Sequence, residues 1–436
     1  MTARLKPVQA GQSKLVSVID IGSSKISCIV ARLTPRPEGR SLRGRTHATQ
    51  VIGFGYGKSR GINSGVISDL NLAEQSIRSV VSMAEKQAGL TIESIIVNIS
   101  AGELGSQTFS ASVSLGGLEA EKADIAKVLN SVNKASVQKD RSIIHALPIG
   151  FSLDGQKGVL DPIGMVGEEL GVDVAVISAK TLPMRNIELA LNRCHIQVQA
   201  FVATPYASAL STMVDDEAQL GVACIDFGGA TTSVSVFSEG KMVFCDSIAI
   251  GGDHINQDIA HALSISIADA ERIKTVYASV LPGQLDEREL IAINPIGSLE
   301  GEAPAAITRA VLNKIVRPKI EEILQTVRDR LIFAKMMDVS GRRFVLSGGA
   351  SELTGLSEMA RRILSRHVRI GRPLGIASLP VQAKGAAFAT IAGMLIYPQI
   401  SHHEYIASNF GRSLRFENNY LSRVSNWLSK SFHKSN

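Results

Sequence analysis

The sequence predicts an α/β fold of two related halves that face one another across a cleft. Two stretches carry that prediction. Residues 221–237, GVACIDFGGATTSVSVF, read as an apolar strand running into Asp226, a tight polar turn through Thr232 that offers Gly228, Gly229, Thr231 and Thr232 to a ligand, and a second strand-like run with Val234, Val236 and Phe237. Residues 16–33 repeat the grammar: a strand, then Asp20, Ile21, Gly22, Ser23, Ser24 and Lys25, then a strand. One such turn reads equally well as a plain β-hairpin. Two copies, about two hundred residues apart, predict a duplicated half-domain.

The residue types in these turns suit a phosphate. Glycine tolerates positive φ and close backbone approach, and successive N–H groups in a turn form an anion-binding nest. An aspartate at the mouth of that nest repels a bare phosphate but suits a hydrated Mg²⁺ lying between them, so Asp20 and Asp226 are expected to reach the metal through water. A nucleotide held between the halves would meet one hairpin from each.

Three further pieces point the same way. Residues 343–356, RFVLSGGASELTGL, run from a short strand through Gly348 and Gly349 into a helix starting near Ser351 or Glu352, where α/β folds bind ligands. Gly251 and Gly252 precede a helix and either approach a phosphate or form a loop with Asp253 as N-cap. Glu271 and Lys274 share a helix face; they either contact a ribose and an adenine or form a surface salt bridge. No residue stands out as catalytic.

Residues 19–25, 59–62, 226–229, 251–253, 269–274, 346–350 and 368–371, in this order, resemble the actin and heat-shock-chaperone ATPase superfamily. Within it they resemble the FtsA family of bacterial cell-division proteins, over nearly the whole chain. The resemblance implies an actin-like (ribonuclease H-like) pair of duplicated domains around a nucleotide cleft, with an inserted subdomain and a C-terminal amphipathic helix. It implies ATP and Mg²⁺ as ligands. The implied partners are the C-terminal peptide of the tubulin-like protein FtsZ, further copies of the chain in a polymer, later division proteins and the anionic inner membrane.

Composition bounds these readings. A chain of 436 residues is too long for one ordinary core, and a 45 % hydrophobic fraction supplies ample material for burial. A net charge of +6 suits an anionic surface. No basic stripe interleaved with aromatics occurs, which argues against nucleic acid. Cys28, Cys194, Cys224 and Cys245 lack metal or redox spacing; three of them lie in or beside apolar strands and read as small core residues, a usage consistent with a reducing cytoplasm. The first residues lack the apolar stretch of a secretory signal. The uncharged run 385–397 is too short to span a bilayer and reads as a buried small-residue helix.

In chain order, residues 1–15 are expected to be loose. The first half takes 16–100 and 172–215, with part of 380–400. Residues 101–171, which lack both phosphate turns, form an insert. The second half takes 216–263 and 332–379, and 264–331 form a lid, which the resemblance makes the docking place of FtsZ. Asp215, Asp216 and Glu217 read as a solvated acidic turn or, less simply, a metal cluster. Residues 401–418 are polar and read as a linker. Residues 419–433 follow. On a helix, Leu421, Val424, Trp427, Leu428 and Phe432 share one face and Arg423 and Lys430 edge it, without an acid among them. Such a helix either docks on the protein's own core or lies in an anionic membrane surface; the resemblance favours the membrane.

The expected function is an ATP-binding scaffold that polymerises, tethers FtsZ to the cytoplasmic side of the inner membrane at the septum and recruits later division proteins. Ala230 and Ser233 stand where briskly hydrolysing relatives carry a third glycine and an acidic residue, so ATPase activity is expected to be weak at most. The competing readings are another actin-like membrane adaptor of the pilus-assembly type and an actin-fold kinase or ATPase.

Overall fold

The computed structural model describes residues 5, 7–9, 11–36, 45–132, 138–297, 305–401 and 404. The membrane-helix residues Leu421, Arg423, Val424, Trp427, Leu428, Lys430 and Phe432 lie outside them.

Two apolar strands separated by only Gly22–Ser24 pair locally. They form the hairpin of β1 (Lys14–Ile21) and β2 (Lys25–Pro35), extended by antiparallel β3 (His47–Lys58). A minimal pair, β4 (Ile62–Asn63) and β5 (Val66–Ile67), leads into α1 (Leu70–Ala88). Asp69 caps that helix, its carboxylate accepting from the Asn71 and Leu72 N–H groups. The apolar face of α1, Ile77, Val80, Val81 and Ala84, buries against the sheet and returns the chain as β6 (Ser94–Ile99), parallel to β1.

The insert follows: β7 (Gly105–Ser114), α2 (Lys122–Val132), β8 (Arg141–Leu153), β9 (Gln156–Val159) and β10 (Glu169–Lys180). From the sequence the insert is expected to end at 171 and the next strand to belong to the first half. The structure corrects this. β10 pairs along its length with β7 and β8, and the first-half sheet contains no part of it. An apolar strand advertises burial but not its neighbours: here Leu170, Val172, Val174 and Val176 join the insert's own core with Leu115, Val128, Leu129 and Val132, while Ala175, Ile177 and Ala179 pack into the larger core that contains the first half.

The chain then passes through α3 (Thr181–Arg193), β11 (Gln197–Ala203) and α4 (Thr204–Thr212) to α5 (Asp215–Leu220). The acidic turn is therefore a short helix rather than a solvated loop. Glu217 is buried and takes a bidentate pair from Arg369, whose guanidinium holds its carboxyl below the usual range against the opposing effect of burial.

The second half begins with β12 (Val222–Phe227), β13 (Thr232–Ser238) and β14 (Lys241–Ile248), followed by α6 (Gly252–Leu263). The lid contains α7 (Ile267–Tyr277), β15 (Leu290–Ile293), β16 (Ala305–Thr308) and the long α8 (Arg309–Phe333). β17 (Arg343–Ser347), α9 (Leu356–Leu364), β18 (His367–Ile370), β19 (Ile376–Ala377) and α10 (Ala389–Ile400) complete the described chain.

The strand orders display the duplication. The first sheet runs β11-β6-β1-β2-β3-β19, and the second contains β18-β17-β12-β13-β14. Each half thus has a hairpin flanked by two parallel strands on one side and one antiparallel strand on the other. The second sheet continues into the insert as β7-β10-β8-β9, joined at Asp246↔Gly105. There Ser106 Oγ accepts from the Cys245 N–H and donates to its carbonyl.

The chain crosses from the first half to the second at α4 and returns at α10, and these two helices pack directly on each other. Every residue of α10 is buried. Ser211 Oγ donates to the Ala389 carbonyl at 2.7 Å across the pair.

The chain ends are tied down more than the sequence suggests. Leu5 and Val8 are buried, and the Val8 N–H donates to the Pro398 carbonyl, so part of residues 1–15 is docked. Ser401 and Glu404, assigned to the linker, are buried as well.

Candidate functional site

The two hairpin turns have the same internal bond. The Gly22 N–H donates to the Lys25 carbonyl at 3.0 Å, and the Gly228 N–H donates to the Thr231 carbonyl at 2.9 Å. A side chain at Gly22 or Gly228 would sit 2.9 or 2.8 Å from that carbonyl, which explains why both turns have glycine there. Asp20 and Asp226 stand at equivalent registers, opposite Ser27 and Ser233.

Both turns open onto one cavity of about 480 Å³ between the halves, within the usual range for small-molecule sites, about 300–1,000 Å³. Of the residues expected to hold a nucleotide, Asp20, Gly22, Ser23, Ser24, Lys25, Asp226, Gly228, Gly229, Thr231, Gly252, Glu271, Lys274, Gly348 and Gly349 line it. Thr232 and Gly251 do not. Thr232 is the first residue of β13 and its hydroxyl donates to the Ile250 carbonyl. Gly251 is packed behind the second hairpin, where a side chain would meet the Gly229 and Gly228 carbonyls at 2.5 and 2.7 Å.

The walls are built by backbone proximity. The Gly252 and Asp253 N–H groups donate to the Gly228 and Gly229 carbonyls, strapping the start of α6 to the hairpin. Asp253 is thus neither loop nor N-cap: Gly251 caps the helix and Asp253 lies in its first turn, on the cavity wall. Gly348 has φ +83°, and a Cβ there would stand 2.4 Å from the Phe227 carbonyl.

Electrostatics set the site apart from the rest of the surface. Burial raises Asp20 to about 6, against the opposing pull of Lys25 and with help from Asp226. Burial raises Asp226 too, although the Ser347 and Thr390 hydroxyls donate to its Oδ2 at 3.2 and 3.4 Å. Burial lowers Lys25, whose ammonium donates to the Ala387 carbonyl and sits 3.9 Å from the centre of the Phe388 ring. Across the cavity, burial raises Asp253 and lowers Lys274, whose Nζ donates to the Gly252 carbonyl at 3.0 Å. Each carboxylate is short of counter-charge in its ionised form, and each lysine is short of an anion. A divalent cation beside Asp20 and Asp226, with a polyphosphate beside the lysines and the turn N–H groups, answers both shortages. The donor set therefore fits Mg²⁺ reached through water together with a nucleotide. Among the described residues no three His, Cys, Asp or Glu side chains gather as a direct metal cage.

Sequence reasoning missed several wall residues. Asn98 and Ser100 stand at the end of β6 and Thr204 begins α4, where ligands collect at the carboxyl ends of parallel strands. Asn98 also accepts the Ile21 N–H at 2.7 Å, fixing the first hairpin. Glu352, Thr354, Ala387 and Thr390 arrive from late segments with no local signal. Two departures noted in the sequence weigh differently in the structure. Ala230 keeps its φ out of the left-handed region and fits. Ser233 is buried and forms no part of the cavity wall, so a missing carboxylate there bears less on the site than the sequence implies.

Comparison with known proteins agrees with this architecture. A family model described as cell division protein FtsA matches residues 223–393, and one described as the SHS2 domain inserted in FtsA matches residues 101–178. The latter range takes in most of β10. The cell division protein FtsA of Rhizobium meliloti is 50 % identical over 98 % of this chain and 97 % of its own length. That of Pseudomonas aeruginosa is 31 % identical over 89 % and 90 %. Among solved structures, the PilM–PilN type IV pilus biogenesis complex superposes with a TM-score of 0.61 at 15 % identity, covering 88 % of this chain and 98 % of that one; at that identity the likeness speaks for the fold alone. With half its residues shared with a division protein across nearly the full length of both, this actin-like chain belongs to the FtsA family of cell-division proteins.

Proposed function

We infer that the protein binds ATP with Mg²⁺ between its halves and acts as a scaffold of the division machinery, holding FtsZ at the cytoplasmic face of the inner membrane. What supports the reading most is the meeting of the Asp20–Gly22 and Asp226–Gly228 turns, with Gly348, on one cavity. In this reading Asp20 and Asp226 orient the metal's water shell, and the metal neutralises charge on the phosphates. Lys25 and the turn N–H groups hold the phosphates. Glu271 and Lys274, on the lid side, take the ribose and base.

The rest of the function rests on family membership and on the tail sequence. The lid would take the C-terminal peptide of FtsZ, and copies of the chain would stack as a polymer that also engages later division proteins. The helix at 419–433 would lie in the membrane surface, reversibly for one copy and with avidity for many. Among the described residues no helix is long and apolar enough to cross a membrane. Turnover of ATP would be slow, since tethering needs binding and not hydrolysis.

Deleting residues 419–436 is expected to reduce sedimentation with vesicles of phosphatidylethanolamine and phosphatidylglycerol by about tenfold or more, while leaving affinity for Mg²⁺–ATP unchanged. Unchanged vesicle binding would overturn the tether. Failure of the full chain to bind Mg²⁺–ATP in calorimetry would overturn the scaffold reading at its base. Rapid steady-state phosphate release would replace it with an enzyme.

A further inference from the structure

The insert carries an apolar surface that the fold leaves uncovered. Leu118 is 70 % exposed, Leu160 80 % and Val166 62 %, with Ile163 and Met165 also exposed. They are not scattered. The loop after β7 and the loop before β10 are tied together by the Ala120 N–H donating to the Met165 carbonyl, the Gly164 N–H donating to the Ala120 carbonyl, and a bridge between Glu119 and Val166. These bonds bring the two loops that carry Leu118, Ile163, Met165 and Val166 to one end of the insert, its tip. Glu119, Glu121, Asp161, Glu168 and Glu169 lie in or beside these two loops, against Lys122, and Asp154 of the β8–β9 turn joins them by accepting the Glu168 and Glu169 N–H groups, while Lys157 of β9 pairs with Asp173. The tip thus combines exposed apolar side chains with an excess of acidic ones, and exposed apolar surface edged by polar residues marks an interaction surface.

The chain contains a segment of complementary character. Residues 419–436 carry Arg423, Lys430 and Lys434 with no acid, and their apolar side chains align on one helical face. The structure also shows where that segment is tethered. Glu404 is buried; its Oε2 accepts from the Tyr397 hydroxyl at 3.0 Å, and its Oε1 lies 3.0 Å from His145 Nδ1. His145 Nε2 accepts the Ala203 N–H, which leaves the ring proton on Nδ1. His145 belongs to β8, the strand that ends at the tip with Leu153. The root of the tail is therefore pinned to the insert itself. At a strand rise of about 3.3 Å per residue, the tip lies about 26 Å along β8 from that pin. Fourteen residues separate Glu404 from Asn419, and a chain of that length reaches at most about 46–50 Å, enough to cover this distance; a segment tethered so closely experiences an effective concentration of about millimolar.

We propose that, away from lipid, the 419–433 helix docks by its apolar face on the insert tip of its own chain, so that membrane attachment must compete with an internal contact. This rests on the reading of 419–433 as an amphipathic helix. Capture by the tip withholds the anchor from single copies, and anything that occupies the tip releases it.

Trp427 is the sole tryptophan of the chain, so its emission reports the tail directly. In the full chain without lipid, emission is expected to be blue-shifted relative to the isolated 419–436 peptide. The double variant Leu118→Asp, Val166→Asp is expected to return it to the peptide value and to raise affinity for phosphatidylethanolamine–phosphatidylglycerol vesicles about two- to tenfold. Glu168→Lys, Glu169→Lys is expected to do the same without touching an apolar side chain; an unchanged melting transition certifies the fold of each. Wild-type emission equal to that of the peptide overturns the proposal. So does emission that stays blue-shifted in both variants, which places the helix elsewhere, or that depends on protein concentration, which places it on a second copy. Vesicle-induced shifts test the membrane reading separately, because the lipid-free spectra decide the internal contact alone.

Discussion

Gly393→Ala is expected to destabilise the protein by about 3 kcal/mol or more and to weaken nucleotide binding with it. The sign is not obvious from helix propensity, which favours alanine over glycine inside a helix by about 1 kcal/mol. Contact geometry decides it. A Cβ at Gly393 would stand 1.6 Å from the Ala207 carbonyl oxygen and 2.4 Å from its carbon. Those are backbone atoms of α4 and cannot swing aside as the end of a side chain can. The helices must part instead, in a core where every residue of α10 is buried and interiors are packed as densely as organic crystals. Because α4 and α10 are also the two crossings between the halves, parting them changes the angle at which Thr204 and Thr390 meet the cavity. Met394→Leu, the neighbouring buried residue changed at nearly constant volume, is expected to cost under about 1.5 kcal/mol. Denaturant unfolding of the two variants, with calorimetry of Mg²⁺–ATP binding, checks both claims. A Gly393→Ala protein as stable as its parent would mean that the helices are not held this close in solution.

What the sequence reveals of this fold is what is local. The Asp20–Lys25 and Asp226–Thr231 turns declare themselves because strand, glycine and strand lie within a few residues, and their chemistry does not depend on distant parts of the chain. The glycine at 348 was legible for the same reason. The place of β10 is not legible in the sequence, because its apolar run is equally at home in either sheet and only its pairing with β7 and β8, earlier in the chain, decides between them. Glu217 was read as solvated because its partner Arg369 is 152 residues away. Asn98 and Thr204 were within reach of a general rule, since both stand where parallel strands end at a cleft. Glu352 and Thr390 were not, because nothing in their neighbourhood separates them from any other polar residue beside a helix.

Asp20→Asn is expected to act in opposite directions on the empty and the loaded protein, and the contrast discriminates a metal-facing carboxylate from a structural one. Burial raises the Asp20 pKa from 3.8 to about 6 in the folded state. Between those two values the folded protein binds more protons than the unfolded chain, so stability of the empty protein rises as pH falls through about 6 and is lowest once the carboxylate is ionised. A shift of about two units corresponds to about 3 kcal/mol at neutral pH, as an upper figure. An asparagine removes the buried charge, so the ligand-free variant should unfold later than its parent at pH 7.5, with the gain vanishing toward pH 4. With Mg²⁺–ATP present the order should reverse if Asp20 orients the metal's water shell as proposed, and affinity should then drop about a hundredfold or more, on the scale of a charged hydrogen bond left unmade. Thermal unfolding of both proteins across pH, with and without Mg²⁺–ATP, reads all of this at once. A variant less stable than its parent when empty would show Asp20 to be a structural member of β1, and the same ligand-induced stabilisation in both proteins would remove Asp20 from the metal site.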